Sequence, residues 1–451
     1  MSRYSLVARL GKKDLSRVNI LQKDSIVVEM DLLDGDNVLK YGMGSFINGL
    51  ALRGMSPSET SIDLGILALL ITAADTRISR ESDAQDNWTR EIDLYFPVEN
   101  VFLWESVLPK LQRMLNFLTG DYWRLFVRIR KGNARKLAPV PESLRLREHT
   151  CVSLFSGGLD SFIGAIDFNH RKEKPLLISH YWEGIVHSYQ QYLYEALKKY
   201  FLKNNIDQLS AYVGFPLDLI QKSSSEKSQR GRSFLFFALA VLAADSIGKG
   251  VKSYVPENGF ISLNAPLTPL RLGSLSTRTT HPYYMALWNS VLKDLKIDTE
   301  LLNPYKYMTK GEMFKECSDQ KILKKLAKHT VSCSSINKGR FYGKPPMHCG
   351  YCVPCIIRQA SFLFGASSDE TKYRIPLNRK LTLKSRLAEG KHVHAFRFAI
   401  ERIRKTPNII SSLVLSSGPL LENKQNVEKY IKIYSRGIKE AQTLLKNVSL
   451  K

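Results

Sequence analysis

The chain has 451 residues, too many for one ordinary hydrophobic core and enough for two or three domains. Its composition, 44% hydrophobic and 24% charged with a net charge of +24, is that of a globular protein. No apolar run reaches the ~18–20 residues that span a bilayer. The first residues also lack the apolar stretch and cleavage site of a signal peptide. We therefore expect a cytoplasmic protein that makes no membrane contact.

Residues 1–145 mix strand-like and helical segments. Alternating apolar residues and aromatics predict strands over 4–10, 25–30, 91–98 and 123–130. A Ser/Glu capping pattern and helical apolar spacing predict one helix over 58–78, and a second is expected over 101–118. The sequence thus predicts an N-terminal α+β accessory domain, in which we find no catalytic motif.

A polar stretch over 135–150 then forms a linker. After it, the sequence pattern changes to one of alternating strands and helices. Residues 150–365 read as strand, helix, strand, helix, strand, long helix and strand. That order is typical of βαβ units around a parallel sheet. The last region, 366–451, is predicted to be a basic helical extension. Residues 371–451 hold 18 Lys or Arg and 5 Asp or Glu, which suits an acidic partner or a nucleic acid, or a solvated helical surface.

The segment CVSLFSGGLDS places a Gly-rich turn between a strand and a helix. Gly157 and Gly158 allow the main chain to approach a ligand closely, and Ser156 and Ser161 add hydroxyl donors. Unpaired N–H groups and the helix dipole favour an anion at such a turn. Asp160 suits a phosphate site when Mg²⁺ bridges the two. The alternative is a helix-capping turn with glycines for its geometry.

Four of the six cysteines form a second motif, in which the last three lie within seven residues. Four thiolates at this spacing can surround Zn²⁺ tetrahedrally, and an iron–sulfur cluster is the alternative. With four protein ligands the zinc site would be closed, hence structural. The predicted ligands are Cys333, Cys349, Cys352 and Cys355.

The Ser-Gly-Gly-x-Asp-Ser turn resembles the pyrophosphate loop of N-type ATP pyrophosphatases. With the cysteine motif, residues 150–365 resemble the QueC-like (7-cyano-7-deazaguanine synthase-like) branch of that family. The resemblance implies an adenine nucleotide alpha hydrolase-like (PP-loop) fold, an α/β architecture with a parallel five-stranded sheet and flanking helices. It also implies ATP and Mg²⁺ as cofactors. Arg232 in RGRSFLFFALA and Lys310 in TKGEMFKEC match basic positions of the family, so both are candidate catalytic residues together with Asp160.

The substrate segments depart from the family pattern. Where the family has Arg-Asn, this chain has Arg232-Ser233, and where the family has an aromatic-Gly-Gln stretch, this chain has Tyr-Trp-Glu-Gly. The metal loop, which follows Cys333, is longer here than in the family. Candidate substrate-binding residues, each of which is also compatible with an ordinary loop residue, are Tyr181, His187, Glu257, Asn258, Arg278 and His281.

The additions on both sides of this region resemble the layout of the QatC component of Qat anti-phage systems. The resemblance implies an ATP-dependent ligase that adenylates the carboxylate of a 7-deazaguanine acid and passes it to ammonia or to an amine of a partner protein encoded in a defence operon. Two alternatives remain at this point. One is a tRNA-modifying enzyme such as a thiolase, with nucleic acid on the basic C-terminal region. The other is a 7-cyano-7-deazaguanine synthase of queuosine biosynthesis.

Overall fold

Two parallel sheets and a helical C-terminal region organise the protein. The computed structural model describes residues 2–34, 37–141, 149–171, 173–221, 223–226, 228–269, 278–334, 336–337, 343, 345–366, 368–420 and 424–451. Among these residues, no helix combines the length and the apolar content needed to cross a membrane.

The N-terminal sheet has the strand order β2-β1-β3-β4. The strands are β1 (Arg3–Arg9), β2 (Ile26–Asp31), β3 (Glu91–Val98) and β4 (Tyr122–Ile129), close to the predicted segments. All three pairings are parallel. The region therefore has α/β connectivity, and the predicted α+β arrangement is wrong in this respect. Parallel neighbours need long crossovers, which the intervening helices supply.

The helices of this region lie between the strands. Their bounds are α1 (Met43–Ala51), α2 (Glu59–Arg77), α3 (Arg80–Asp83), α4 (Val101–Glu105) and α5 (Leu108–Thr119). The single helix predicted over 101–118 is in fact α4 and α5. Pro109 occupies the first turn of α5, where a residue without an N–H is tolerated, and this starts a new helix.

The second sheet has five parallel strands in the order β7-β6-β5-β8-β9, which confirms the predicted parallel five-stranded sheet. The strands are β5 (Cys151–Leu154), β6 (Pro175–Tyr181), β7 (Asp207–Tyr212), β8 (Val251–Tyr254) and β9 (Thr299–Leu302). The helices around them are α6 (Leu159–His170), α7 (Gly184–Tyr200), α8 (Arg232–Ile247), α9 (Gly259–Leu263) and α10 (Pro282–Asp294). The strand order reverses between β5 and β8. In open parallel sheets, the crevice outside the carboxyl ends at such a reversal is the usual ligand site.

The two sheets share one hydrophobic core. Helix α2 is buried on nearly all sides and packs against α8, which explains why neither helix has a polar face in the sequence. One cluster of buried side chains includes Leu6 of β1, Leu67 of α2, Val152 of β5 and Leu239 of α8. The accessory region is therefore fused to the second sheet along a wide apolar interface.

The C-terminal region is helical, as predicted, with one small parallel pair of strands. Its elements are α11 (Lys310–Glu316), α12 (Gln320–Leu326), α13 (Val353–Gly365), β10 (Leu381–Leu383), α14 (Ala388–Lys405), α15 (Ile409–Leu415), α16 (Lys424–Leu445) and β11 (Val448–Leu450). Helix α16 packs against α13, α14 and α9 through buried residues such as Tyr430, Ile433 and Ile438. Its basic residues thus lie on the outside of a packed helix.

Candidate functional site

The glycine turn follows β5 directly, as the sequence predicted. Gly157 has φ +79°, a left-handed conformation that favours glycine, and Gly158 caps the N-terminus of α6. The hydroxyl oxygens of Ser156 and Ser161 lie 3.2 Å apart, and Ser161 also donates to the Gly158 carbonyl at 3.0 Å. The turn therefore presents two hydroxyls and a helix N-terminus at the carboxyl edge of the sheet.

Asp160 and Lys310, which are 150 positions apart, meet in a buried ion pair beside this turn. The Lys310 Nζ lies 2.7 Å from one carboxylate oxygen of Asp160. The other oxygen accepts hydrogen bonds from the Asn258 backbone N–H at 3.1 Å and from its side-chain amide at 2.7 Å. Lys310 is the first residue of α11, held by a capping box between Thr309 and Glu312. Three chain segments thus converge on the reversal between β5 and β8.

Glu257 adds a second carboxyl group to this cluster. Burial raises its pKa to about 7, and the hydrogen bond from Thr280 opposes that rise. The Asp160 carboxylate raises the pKa further, since two like charges resist ionising together. At neutral pH, Glu257 is therefore divided between its acid and its carboxylate form.

Arg232, the first residue of α8, brings a second cation to the same edge. Within the described residues its guanidinium makes no hydrogen bond and no close ion pair. Burial lowers the pKa of Arg232. The pKa of His180, at the end of β6, is also lowered, first by the burial of the imidazole and then by the positive charge of Arg232. The Glu183 carboxylate attracts this charge without a close ion pair, so an anion bound here would give the guanidinium a nearer partner.

The start of α8 is held by the accessory region. The Gly231 backbone N–H donates to Asp75 of α2 at 2.7 Å. Asp75 is buried and also accepts from Arg90 at 3.0 Å, and Arg90 in turn binds Asp121 at 2.7 Å. A buried ionic network of the N-terminal region therefore positions the residue next to Arg232.

The aromatic segment after β6 forms one wall of the same edge. The rings of Tyr181 and His187 stack with their centroids 4.0 Å apart, and His180 meets Trp182 edge to face. Glu183 accepts a hydrogen bond from Asn337, which ties this segment to the metal loop. Tyr181 and His187 are therefore neighbours, as their predicted common role requires.

The other predicted substrate residues already have partners within the protein. Arg278 donates to the Phe117 carbonyl at 2.8 Å and stacks on the Phe117 ring. His281 is fully buried, caps α10 and contacts the Ser417 hydroxyl at 3.1 Å. Burial and the charge of Arg278 lower the pKa of His281 to about 3, so it is neutral at pH 7. These contacts give both residues a structural use, and their substrate role stays a prediction.

The four predicted metal ligands come together, and their sulfur atoms lie within 4.8 Å of one another. The Sγ atoms of Cys349 and Cys355 are 3.9 Å apart. Tetrahedral zinc with bonds of ~2.3 Å requires sulfur separations of ~3.8 Å, so the donor set fits this ion. The Cys352 N–H donates to the Cys349 sulfur at 3.3 Å, which suits a thiolate. The cluster could therefore hold a metal such as zinc.

The segment before Cys333 connects this cluster to the glycine turn. The Val331 backbone N–H donates to the Gly157 carbonyl at 2.8 Å, and the Ser332 hydroxyl lies 3.5 Å from the Leu159 nitrogen. Arg358 is fully buried and anchors the segment by donating to Thr330 at 2.7 Å. Ser332 and Arg358 belong to the cysteine motif of the sequence, but nothing in the sequence indicated their contacts or that of Val331.

Gln190 is a further residue that sequence reasoning missed. Its buried amide donates to the Ser156 carbonyl at 3.1 Å and to the His180 carbonyl at 3.3 Å. It thereby joins the ends of β5 and β6 beneath the turn. In the sequence it is one of several polar residues on the amphipathic helix α7, so nothing distinguished it.

No protein-family model matches the chain, and no curated protein matches it significantly in sequence. Fold and site together define an α/β protein with a cluster of polar and charged side chains at the carboxyl edge of a five-stranded parallel sheet and a four-cysteine cluster beside it.

Proposed function

We propose that the chain is an ATP-dependent ligase that adenylates the carboxylate of a 7-deazaguanine acid and transfers the acyl group to an amine. The observation that carries the proposal is the convergence of Asp160, Lys310 and the glycine turn on the reversal between β5 and β8. The resemblance to QueC-like enzymes supplies the substrate class. The guanidinium of Arg232 at the same edge, which makes no hydrogen bond within the described residues, supports an anionic ligand.

In this proposal the turn holds the phosphates of ATP, and Lys310 and Arg232 bind the α-phosphate oxygens. Lys310 has three donors, and Asp160 occupies one of them. The substrate carboxylate attacks the α-phosphorus, the bond to the β-phosphate oxygen breaks, and pyrophosphate leaves. The two cations stabilise the charge that grows on the α-phosphate, and no side-chain nucleophile is needed.

Asp160 is the residue that would hold Mg²⁺, because it is a carboxylate beside the turn and Mg²⁺ is commonly bound by one carboxylate and the phosphates. The ion would neutralise phosphate charge. In the second half-reaction the amine nitrogen attacks the acyl carbon, AMP leaves, and the nitrogen loses a proton. Glu257, with a pKa of about 7, is suited to accept that proton.

An isotope experiment tests the adenylation. The protein is incubated with ATP, Mg²⁺, an ammonium salt as the amine and 7-carboxy-7-deazaguanine whose carboxylate carries ¹⁸O, and AMP is analysed by mass spectrometry. Adenylation followed by transfer puts one ¹⁸O in AMP. Asp160→Asn should abolish the label, whereas Asp218→Asn, at an exposed position, should not. A zinc-loaded protein that forms no AMP, or only unlabelled AMP, refutes the proposal.

The acceptor is tested in the same reaction. With ammonium as the only amine, an amide or nitrile of the small molecule is expected. With a candidate partner protein, conjugation adds the mass of the acyl group to that protein, which is the outcome expected of a defence system. Labelled tRNA in place of the partner separates the tRNA-modifying alternative, since only that enzyme would modify the RNA.

A further inference from the structure

A second cleft lies in the N-terminal region, at the carboxyl edge of its own parallel sheet. Its volume is about 830 Å³. Its walls come from the end of β2 and the loops that follow β1, β2 and β4. The lining residues are 10–16, Asp31, Leu33, Asp34, Asn37, Lys40, Lys131, Gly132 and Ala134. The strand order of this sheet reverses at β1, whose neighbours are β2 and β3. The cleft therefore lies outside the carboxyl ends of β1, β2 and β4, the side of an open parallel sheet on which ligands bind.

The acidic residues of the cleft are engaged in holding its loops. Asp14 accepts from the Leu10 N–H at 2.9 Å and from Arg128. Asp31 accepts from the Gly11 N–H at 3.0 Å and from the Lys40 ammonium at 2.7 Å. Both carboxylates are thus neutralised within the wall of the cleft.

The lysines of the rim are not engaged in this way. In the described part of the chain, the ammonium groups of Lys12, Lys13 and Lys131 have no hydrogen bond and no ion pair, and all three residues are exposed. Asp14 and Asp31 are neutralised, and among the described lining residues the three ammonium groups outnumber the one further acid, Asp34, so the charge that the cleft offers to a ligand is positive. Three mobile ammonium donors on one rim suit the oxygens of a phosphate chain.

The cleft also offers an apolar surface. Leu10 and Leu33 form part of its floor, and Leu15 is 88% exposed at its edge. A volume of 300–1,000 Å³ is typical of small-molecule sites, which combine an apolar lining with a few polar groups. A planar base or another apolar group could cover the leucines while phosphates meet the lysines.

We propose that this cleft binds a small phosphorylated ligand of nucleotide size, in a site separate from the glycine turn. The cleft is built from residues of the loops after β1, β2 and β4, and the turn from residues 156–161. The proposal does not depend on the proposed ligase activity, because none of its residues belongs to that site.

Hydrogen–deuterium exchange on the full chain tests this proposal, because it reports on each segment separately. The probes are ATP, inorganic tripolyphosphate, adenosine and a 12-nucleotide single-stranded DNA. We expect ATP and tripolyphosphate to slow exchange in residues 10–16 and 131–134, and adenosine to leave it unchanged. Protection confined to 156–161 would overturn this proposal while supporting the ATP site. Protection of the cleft by the DNA alone would also overturn it.

A charge-matched pair of variants provides the control. The test variant replaces the rim lysines by glutamine, and the control replaces three exposed lysines near the amino ends of β8 and β9. The test set is Lys12, Lys13 and Lys131, and the control set is Lys249, Lys293 and Lys296. The test variant should weaken tripolyphosphate binding at the cleft by at least ~10-fold, equivalent to ~1.4 kcal/mol. An equal loss in both variants would show non-specific attraction by net charge and would refute the site.

Discussion

Glu440 of α16 connects the C-terminal extension to the candidate active site, and its replacement by glutamine gives a pH-dependent prediction. The side chain is buried and accepts a hydrogen bond from Thr309, the residue that caps the helix of Lys310. Burial raises the pKa of Glu440 to about 7. The hydrogen bond from Thr309 lowers this pKa, and the negative charge of Glu312 raises it further. Glutamine keeps the shape and the acceptor but cannot ionise.

A carboxyl group whose pKa rises from 4.5 to about 7 on folding costs up to about 3 kcal/mol in its ionised form. Below pH 4.5 the group is protonated in both the folded and the unfolded chain, so no cost arises. The cost grows as the pH rises from 4.5 to 7 and is complete above 7. Glu440→Gln should therefore be more stable than the parent by up to about 3 kcal/mol at pH 8, and by much less at pH 5.

Urea unfolding of both proteins at pH 5 and pH 8 measures this difference. All other titrating groups are common to the two proteins, so their contributions cancel in the difference between the two free energies of unfolding. The m-value must stay constant for the comparison to hold. A variant that is less stable than the parent at pH 8, or a difference that does not change with pH, would show that Glu440 is ionised and well paired, and the reasoning from burial would be refuted.

Three further predictions follow from buried contacts of the site. Cys352→Ser should remove zinc measured by metal analysis, whereas Cys317→Ser, outside the cluster, should retain it; zinc in both would contradict the ligand assignment. Asp121→Asn should lower the free energy of unfolding by about 3 kcal/mol in chemical denaturation because Arg80 and Arg90 lose the buried carboxylate that they share, and an unchanged midpoint would exclude that role. Gly157→Ala should cost about 1–2 kcal/mol in the same assay because φ is +79°, and a neutral effect would show that the turn adapts.

Much of the architecture could be predicted from local patterns. Alternation and β-branched residues located β1 to β4 within one residue. Four strands of the second sheet were also expected from their patterns, whereas β9 had no local signal. The Ser-Gly-Gly turn and the cysteine spacing were equally local, and both formed as predicted. The relative direction of the strands could not be predicted from local patterns. The parallel pairing of β1 with β2 and β3 depends on crossover connections and on tertiary packing.

The arrangement of the site was harder to predict. From the sequence, Asn258 was predicted to lie in a substrate pocket. In the structure its side-chain amide donates to Asp160, and its side-chain oxygen caps α9. Asp75 and Gln190 look like ordinary polar residues of a helix, because a buried polar side chain differs from an exposed one only in its tertiary partners. Lys310 was identified by family resemblance, but its contact with Asp160 joins segments 150 positions apart and had no local signal.

The hydrogen bond between Val331 and Gly157 has a thermodynamic consequence. A metal on the four thiolates orders the segment that ends at Cys333, and an anion at the turn orders the residues that this segment touches. Two ligands that favour the same conformation must promote each other by an identical factor in both directions. Nucleotide affinity measured after chelation and zinc affinity measured with and without nucleotide would then report one shared coupling energy. Metal supply would in that way control nucleotide occupancy of the proposed site.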